Sequence, residues 1–470
     1  MTTAYDRVAY PSAVFEQTHP ERLAILARLV GLDPVPPTEA RILEVGGGDC
    51  LNLLAMADVF PGCEAHGFDL SERAIAQGQS YVDGAGLANA TLRVADILDA
   101  ATIYPAGHFD YVIVHGVYAW VPDHVRAAIM PLIAHVLSPR GLAMVSYNAK
   151  PGGHLRRIMH EMMTLVMDGV TEPAERAATA RAFLEGYVTP GNDDTPLHAA
   201  MRDQARIMLD RPDAVLFHDE LGDHFHPQRL SEVVADARAS GLRFLSDAGR
   251  NRHLDGLLAD DAPLPADPDA AVLREAELDD FAKVRFFRHT ALARAEAPID
   301  RRLDASRIDG LMLSTRLMRE ADGSFRQGED VIEIPDAGLA DAIERAAAIY
   351  PQRVPLADVA RTPLQRRIVL QLFTEWFVNL HLYPAPFVAA PGERPQTCAL
   401  TRAQLALGSR MATTRDHRRI LIEQPEFRAL LLAADGTRTL DEIAAAGHGL
   451  PQEETLPALT YAAGRGLLVA

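Results

Sequence analysis

Between Arg41 and Asn148 five short apolar runs, "RILEVG", "CEAHGFDL", "ATLRVADI", "FDYVIVHG" and "GLAMVSYN", are separated by stretches of a different texture. Helices are read in "CLNLLAMADVF", in "SERAIAQGQSYVDGAG" behind the N-cap Ser71, and in "PDHVRAAIMPLIAHVL", with apolar positions at helical spacing in the last. Strands that alternate with helices cannot pair as hairpins. They imply crossover connections and a parallel sheet covered on both faces. The expected class is α/β, a Rossmann-like sheet.

Beyond Asn148 the pattern changes twice. From about residue 154 to 240 it is helical and rich in Met, Ala and Arg, ending in "QRLSEVVADARASG". "LRFLSDA" and "VRFFRHTALAR" then read as strands. They are expected to close the first sheet as a pair and bring it to seven strands, which makes the preceding helices an insertion. After residue 297 two segments share one outline. "QRVPLADVARTPLQRRIVLQLFTEWFVNLHLYPAPF" and "GTRTLDEIAAAGHGLPQEETLPALTYAAGRGLLVA" each hold a short helix, a longer helix and a terminal apolar strand. They read as two winged-helix-like α+β units, joined by the Pro-rich "PAPFVAAPGERPQ". The expected boundaries are 1–150, 151–296, 297–390 and 391–470.

Composition removes several function classes. The net charge is −18, and no helix in the C-terminal units is basic, so a nucleic-acid partner is not expected. No apolar run reaches the length of a membrane span. The start "MTTAYDRVAYPSAVF" lacks the basic and apolar regions of a signal peptide,. Cys50, Cys63 and Cys398 are odd in number and lack a CxxC pair, which fits a reducing cytoplasm and no structural zinc. "FHDELGDHFHP" (Phe217–Pro227) holds three histidines, but its spacing matches no closed zinc pattern. It reads as a linker into the following helix, and no metal is expected. Lysine occurs only at 150 and 283, with arginine carrying the positive charge. Composition bias accounts for this, and self-sparing by an enzyme that acts on lysines is the second reading.

"LEVGGGDCLN" joins the first strand to the first helix. Its glycines allow a sharp turn and a close ligand approach, and the helix N-terminus presents free N–H groups. Glu44 before the glycines suits a cationic ligand better than a pyrophosphate. Asp69 ends the second strand about twenty residues on, where a carboxylate can accept both ribose hydroxyls. Asp96 ends the third, where it can meet an adenine amino group. Adenosine with a cationic amino-acid tail is S-adenosylmethionine. The candidate contacts are Glu44, Gly46, Gly48, Asp49, Asn52, Asp69, Leu70, Asp96, Ile97 and His115.

These segments resemble a family. "YDRVAYPSAVFEQTHPERLAILARLVGL", "ILEVGGGDCLN", "GFDLSERAIAQGQ", "FDYVIVHGVYAWVP" and "VSYNAKPGG" are similar to class I S-adenosylmethionine-dependent methyltransferases with an attached methyltransferase regulatory domain. That group includes the rickettsial-type protein lysine methyltransferases. The resemblance continues more weakly through "ARASGLRFLSDA" and "VRFFRHTALAR". It implies a cytoplasmic bacterial enzyme that methylates protein lysines. One departure is that the family usually has glycines at the positions of Cys50 and Leu51. Cys50 is small enough to keep the turn.

In an open α/β sheet the ligand crevice lies beyond the carboxyl ends of the strands. His115, Tyr118 and Trp120 follow the fourth strand, and Tyr147 and Asn148 end the fifth. Together they are expected to form the acceptor pocket. The aromatic rings could hold a methylated ammonium by cation–π contact, and Asn148 offers an amine a carbonyl acceptor. His115 could act as a base or bond the cofactor's methionine end. The segment containing Tyr10 and His19 is read either as a lid over the cofactor or as a packing arm. Two rivals to a protein acceptor remain, a small-molecule acceptor and a non-catalytic cofactor-binding regulator. The apolar helical insertion could also make a homodimer contact.

Overall fold

The computed structural model describes residues 11–189, 191, 195–222, 224–249, 265–302 and 304–469. Seven strands form the main sheet: β1 (Arg41–Val45), β2 (Glu64–Asp69), β3 (Ala90–Val94), β4 (Phe109–Val114), β5 (Leu137–Asn148), β6 (Leu242–Asp247) and β7 (Phe287–Arg294). Their order is β3-β2-β1-β4-β5-β7-β6. The first five run parallel, and β7 enters antiparallel between β5 and β6. The order reverses between β1 and β4, so the loops after those strands diverge and leave a crevice at their carboxyl ends.

The helices follow from the alternation: α1 (Pro20–Leu29), α2 (Leu51–Val59), α3 (Glu72–Ala85), α4 (Ala100–Ile103) and α5 (Asp123–Val136). Ser71 caps α3 by accepting the Ala74 N–H at 3.2 Å, and Gly86 ends it in the left-handed conformation at φ 66°,. Successive strand residues point to opposite faces. Ile42, Ile113 and Met144 therefore join α1 and α2 in one core. Leu43, Val112 and Val145 join Ile129 and Ile133 of α5 in the other.

Four helices, α6 (Gly152–Val166), α7 (Pro173–Tyr187), α8 (Pro196–Leu209) and α9 (Asp213–Glu220), are inserted after β5. They close on their own methionine-rich core of Met159, Met163, Met167, Met201 and Met208, a side chain that fills irregular gaps. The stretch read as a linker is therefore in part helix, since Phe217–Glu220 ends α9. Next come α10 (Leu230–Ala239) and α11 (Pro268–Ala282). Where β6, β7 and α11 meet, the fully buried Arg288 pairs with Asp247 at 2.9 Å and Asp280 at 2.7 Å.

Each C-terminal segment holds two helices followed by a short strand. In the first, Met312–Thr315 pairs with Val354–Pro355 and Val378–His381 beside the helices Leu356–Val359 and Pro363–Thr374. Its apolar residues Leu313, Ile343 and Phe373 share one core with Leu23 and Ile25 of α1. The second has its own core around Leu431, Ile443 and Leu459. It docks on the sheet domain by inserting Leu400 among Leu54, Tyr81 and Val82.

Candidate active site

The β1–α2 turn needs left-handed backbone at Gly46 (φ 64°), Gly48 (φ 61°) and Cys50 (φ 55°). A Cβ on Gly48 would meet nothing within 4 Å, while one on Gly47 would sit 2.8 Å from Glu44 Oε2. Gly48 thus opens onto space, and Gly47 is small because Glu44 lies behind it. The Gly48 N–H donates to Asp69 Oδ2 at 2.8 Å, and the Ser71 N–H donates to Asp69 Oδ1 at 2.9 Å. Glu44 is buried. It accepts from Asn52 Nδ2 at 2.7 Å and from the Leu53 N–H at 3.2 Å. Burial still outweighs those bonds and lifts its carboxyl to about 7,. Asp49 accepts from the Leu51 N–H at 3.1 Å and from the Ser12 hydroxyl. Asp96 Oδ1 accepts from the Leu98 N–H at 2.9 Å.

A cavity of about 1620 Å³ lies over this turn. Glu44, Gly46, Gly48, Asp49, Asn52, Asp69, Leu70, Asp96, Ile97 and His115 all line it. Leu70 is 51% exposed, an apolar wall beside the polar Asp69. Cys50 is fully buried, and burial pushes its thiol well above the ordinary range. It is a packing residue held in a glycine-like conformation.

The expected acceptor pocket divides in two. His115, Trp120 and Asn148 line the cavity, whereas Tyr118 and Tyr147 do not. Alternation along β5 is the reason. Ser146 and Asn148 share one face, and Tyr147 points to the other. Tyr147 is buried and meets Thr290 Oγ1 at 3.0 Å. Tyr118, also buried, donates to Asp236 at 2.7 Å, with its ring 6.2 Å from that of Tyr147. Burial raises both phenols far above their usual range. These two tyrosines are core, not pocket. Trp120 does reach the cavity, but Arg156 already sits 5.3 Å over its ring and Phe225 packs beside it at 5.0 Å.

His115 lies parallel to His289 with ring centroids 5.8 Å apart and packs at a tilt against Phe15 at 4.0 Å. Burial lowers its pKa to about 3, so it is neutral at pH 7. Ser146 Oγ accepts from the Gly116 N–H at 2.9 Å and lies 3.0 Å from His115 Nδ1. The Ser146 hydroxyl has two lone pairs and one proton, so it can pair with either neutral tautomer of His115. His115 is thus held as a neutral imidazole on the cavity wall. Asn148 is fully buried, and neither Nδ2 nor Oδ1 of its amide has a partner among the described residues.

Tyr10 lies outside the described residues. His19 is not over the cavity. It accepts the Glu21 N–H at 3.3 Å as the N-cap of α1 and packs against Phe60 and His417. The 3-10 turn Glu16–Thr18 carries it away. Ser12 and Phe15 line the cavity in its place. The Phe15 N–H donates to Asn52 Oδ1 at 3.0 Å, which anchors this stretch to the glycine turn.

His289, Phe286 and Phe287 from β7 and its approach, with Arg156, His218 and Glu220 from the insertion, complete the wall. His218 and Glu220 lie in the stretch read as a linker, and Phe286, Phe287 and His289 in a segment read only as a closing strand. Arg156 and the buried Glu220 pair at 2.7 Å. Among the described residues no three His, Cys, Asp or Glu side chains group as metal ligands, and no helix is long and apolar enough to cross a membrane.

Comparisons with known proteins agree with this geometry. The family described as "Methyltransferase domain" matches residues 42–141, and that described as "Predicted methyltransferase regulatory domain" matches residues 212–294. An uncharacterized protein of Rickettsia prowazekii is 32% identical over 222 residues, 47% of this chain and 88% of that protein. A second protein of the same organism is 30% identical over 302 residues, 64% of this chain and 54% of that one. The structure of PKMT2 from Rickettsia typhi is similar over 98% of this chain and 100% of that one, with TM-score 0.81 and 22% identity. PKMT2 has also been solved in complex with AdoHcy, with TM-score 0.80. The residues present suit S-adenosylmethionine as cofactor. Gly48 leaves an open cradle, Asp69 can take the ribose, Asp96 the adenine, and Glu44 the cationic end. This chain belongs to the class I S-adenosylmethionine-dependent methyltransferases that carry a methyltransferase regulatory domain.

Proposed function

We propose that the methyl acceptor is an amine, and that the amine is a protein lysine side chain. The observation that carries this reading is the Asn148 amide, buried on the cavity wall with both polar atoms unpartnered. A buried amide costs stability unless something bonds it. An amine entering from solvent would donate to Oδ1 and keep its lone pair free for attack. The bound cofactor supplies a methyl group on a positively charged sulfur. The protein then has mainly to position the nucleophile. A lysine, at pKa ~10.4 in water, must lose a proton first, and desolvation in the cavity favours the neutral form. Neutral His115 would hydrogen-bond the acceptor or the cofactor's methionine end.

The choice of lysine rests on the resemblance carried by "HGVYAWVP" and "VSYNAKPGG". The scale of the cavity, about 1620 Å³, also suits a long side chain entering beside the cofactor. The winged-helix-like units serve as packing partners of the sheet in this reading. Leu165 and Leu197, 78% and 61% exposed on the insertion, are where an acceptor protein or a second copy would rest.

The test is incubation of the purified chain with labelled S-adenosylmethionine and a lysate of its source cell. Label in a discrete protein band, mapped to lysine, is the expected result. Label confined to small molecules would sink the lysine assignment and leave methyl transfer standing. Cofactor binding with no label anywhere would favour a regulator.

A further inference from the structure

A second cavity, of about 280 Å³, lies where the start of the chain meets both C-terminal segments. It shares no lining residue with the cofactor cavity. Five arginines face it, Arg22, Arg316, Arg353, Arg415 and Arg418, against three carboxylates, Glu16, Glu21 and Asp416. Three of the arginines are neutralised. Arg353 pairs with Glu21 at 3.4 Å, Arg415 with Asp58 at 3.0 Å, and Arg418 with Asp416. Arg22 and Arg316 make no close ion pair among the described residues; Glu16 is the carboxylate on the wall that attracts both, one charge against two. Arg22 donates to the carbonyls of Ala248 and Gly249 and lies 4.3 Å over the Trp376 ring. Arg316 donates only its Nε–H, to Tyr350 Oη at 2.7 Å.

Two buried polar atoms of wall residues also lack partners: the Trp376 indole N–H and His417 Nδ1. The tautomer of His417 follows from its neighbours. Asn52 Oδ1 accepts the Phe15 N–H, so it is an oxygen, and His417 Nε2, 2.9 Å away, must carry the proton. His417 Nδ1 is then an acceptor without a donor. The wall therefore offers spare guanidinium and indole donors, and one spare acceptor. That set matches a compact oxyanion carrying an O–H, which guanidinium groups bind with charge-assisted bonds.

We propose that this cavity is a second ligand site, for a small phosphate or hydroxycarboxylate metabolite. The Asn52–His417 bond joins it to the glycine turn, since the same Asn52 amide donates to Glu44 at 2.7 Å. A ligand that holds His417 in place thus bears on cofactor affinity, and the effect is reciprocal by linkage.

Calorimetric titration of the full chain with inorganic phosphate, and separately with citrate, tests the site. One saturable event is expected, and the tighter probe separates phosphate from carboxylate chemistry. Arg316→Gln, exposed at the rim, should weaken it by about tenfold or more. Trp376→Phe keeps the ring, removes the N–H, and should weaken it by a smaller factor. Retained binding of S-adenosylhomocysteine by both variants shows that they fold. The proposal is overturned if neither probe binds saturably at millimolar concentration, or if both variants bind as the wild type does.

Discussion

Asp69 organises the cofactor site by accepting two backbone N–H groups, from Gly48 and Ser71. Asp69→Ala frees both donors and removes the carboxylate proposed to take the ribose. It should weaken S-adenosylhomocysteine by roughly 10- to 100-fold in calorimetry, the range for a charged hydrogen bond. Asn148 gives the opposite balance between stability and activity. Its amide makes no bond among the described residues, so Asn148→Ala should hardly lower the melting temperature. If the amide holds the acceptor, kcat/KM should fall by about 100-fold with cofactor affinity unchanged. A large stability loss with normal turnover would assign Asn148 to packing instead. Glu44 makes the site sensitive to pH. Its carboxyl is raised to about 7 by burial, so the folded state prefers it protonated. Its contribution to stability is full below the unfolded value, about 4.3, and is lost as pH rises through 7. The cationic cofactor should reverse this preference. Binding of S-adenosylmethionine should strengthen as pH rises through 7, and Glu44→Gln should flatten that dependence in a pH series of titrations.

At the scale of elements, parity along a strand decided what sequence could reveal. Glu44, Asp69 and Asp96 sit at or just beyond strand ends, and a strand end in a parallel sheet can be read from an apolar run followed by glycine or acid. Tyr147 and Asn148 are adjacent, so they had to face opposite ways. Bunching in sequence is not convergence in space, and Tyr118 joins Tyr147 in the core. His289 and Arg156 were out of reach for another reason. They come from β7, which the sheet places next to β5, and from the insertion, and neither placement is written in local sequence. Cys50 was legible as a departure, and its left-handed φ of 55° shows what the departure costs. A non-glycine residue there carries about 1–2 kcal/mol of strain, which the burial of Sγ partly offsets. Cys50→Gly should therefore change stability by no more than about 1 kcal/mol and keep cofactor binding. Cys50→Val puts a branched side chain where a Cβ on Gly67 would already lie 2.6 Å from Sγ. It should cost about 3 kcal/mol or more, read by urea denaturation. Equal stabilities for the two variants would mean that the turn is not held as described.

Across the whole molecule, an ion pair and a hydrogen bond that sit close together help tie the last C-terminal unit to the sheet domain, beside the apolar contact of Leu400. Arg415 pairs with Asp58 at 3.0 Å, at 14% and 9% side-chain exposure, and two residues on His417 bonds Asn52. Asp58 lies in α2, the helix that the glycine turn opens. Burial lifts the Asp58 carboxyl above its ordinary range even with Arg415 beside it, so the pair does not fully offset its own desolvation. Arg415→Met then leaves a buried carboxylate with no counter-charge. The cost should be about 3 kcal/mol near pH 7, seen as a lower melting temperature. Because the folded-state carboxyl is raised further, the variant's deficit should grow as pH rises above the unfolded value and shrink toward pH 5, where the group takes up a proton. The loss of anchorage should also loosen His417 and weaken S-adenosylhomocysteine, although no residue of this pair lines the cofactor cavity. Asp58→Asn combined with Arg415→Met removes both charges and should recover most of the stability. If the double variant is as unstable as the single one, the interface depends on the packing of the arginine stem and not on charge.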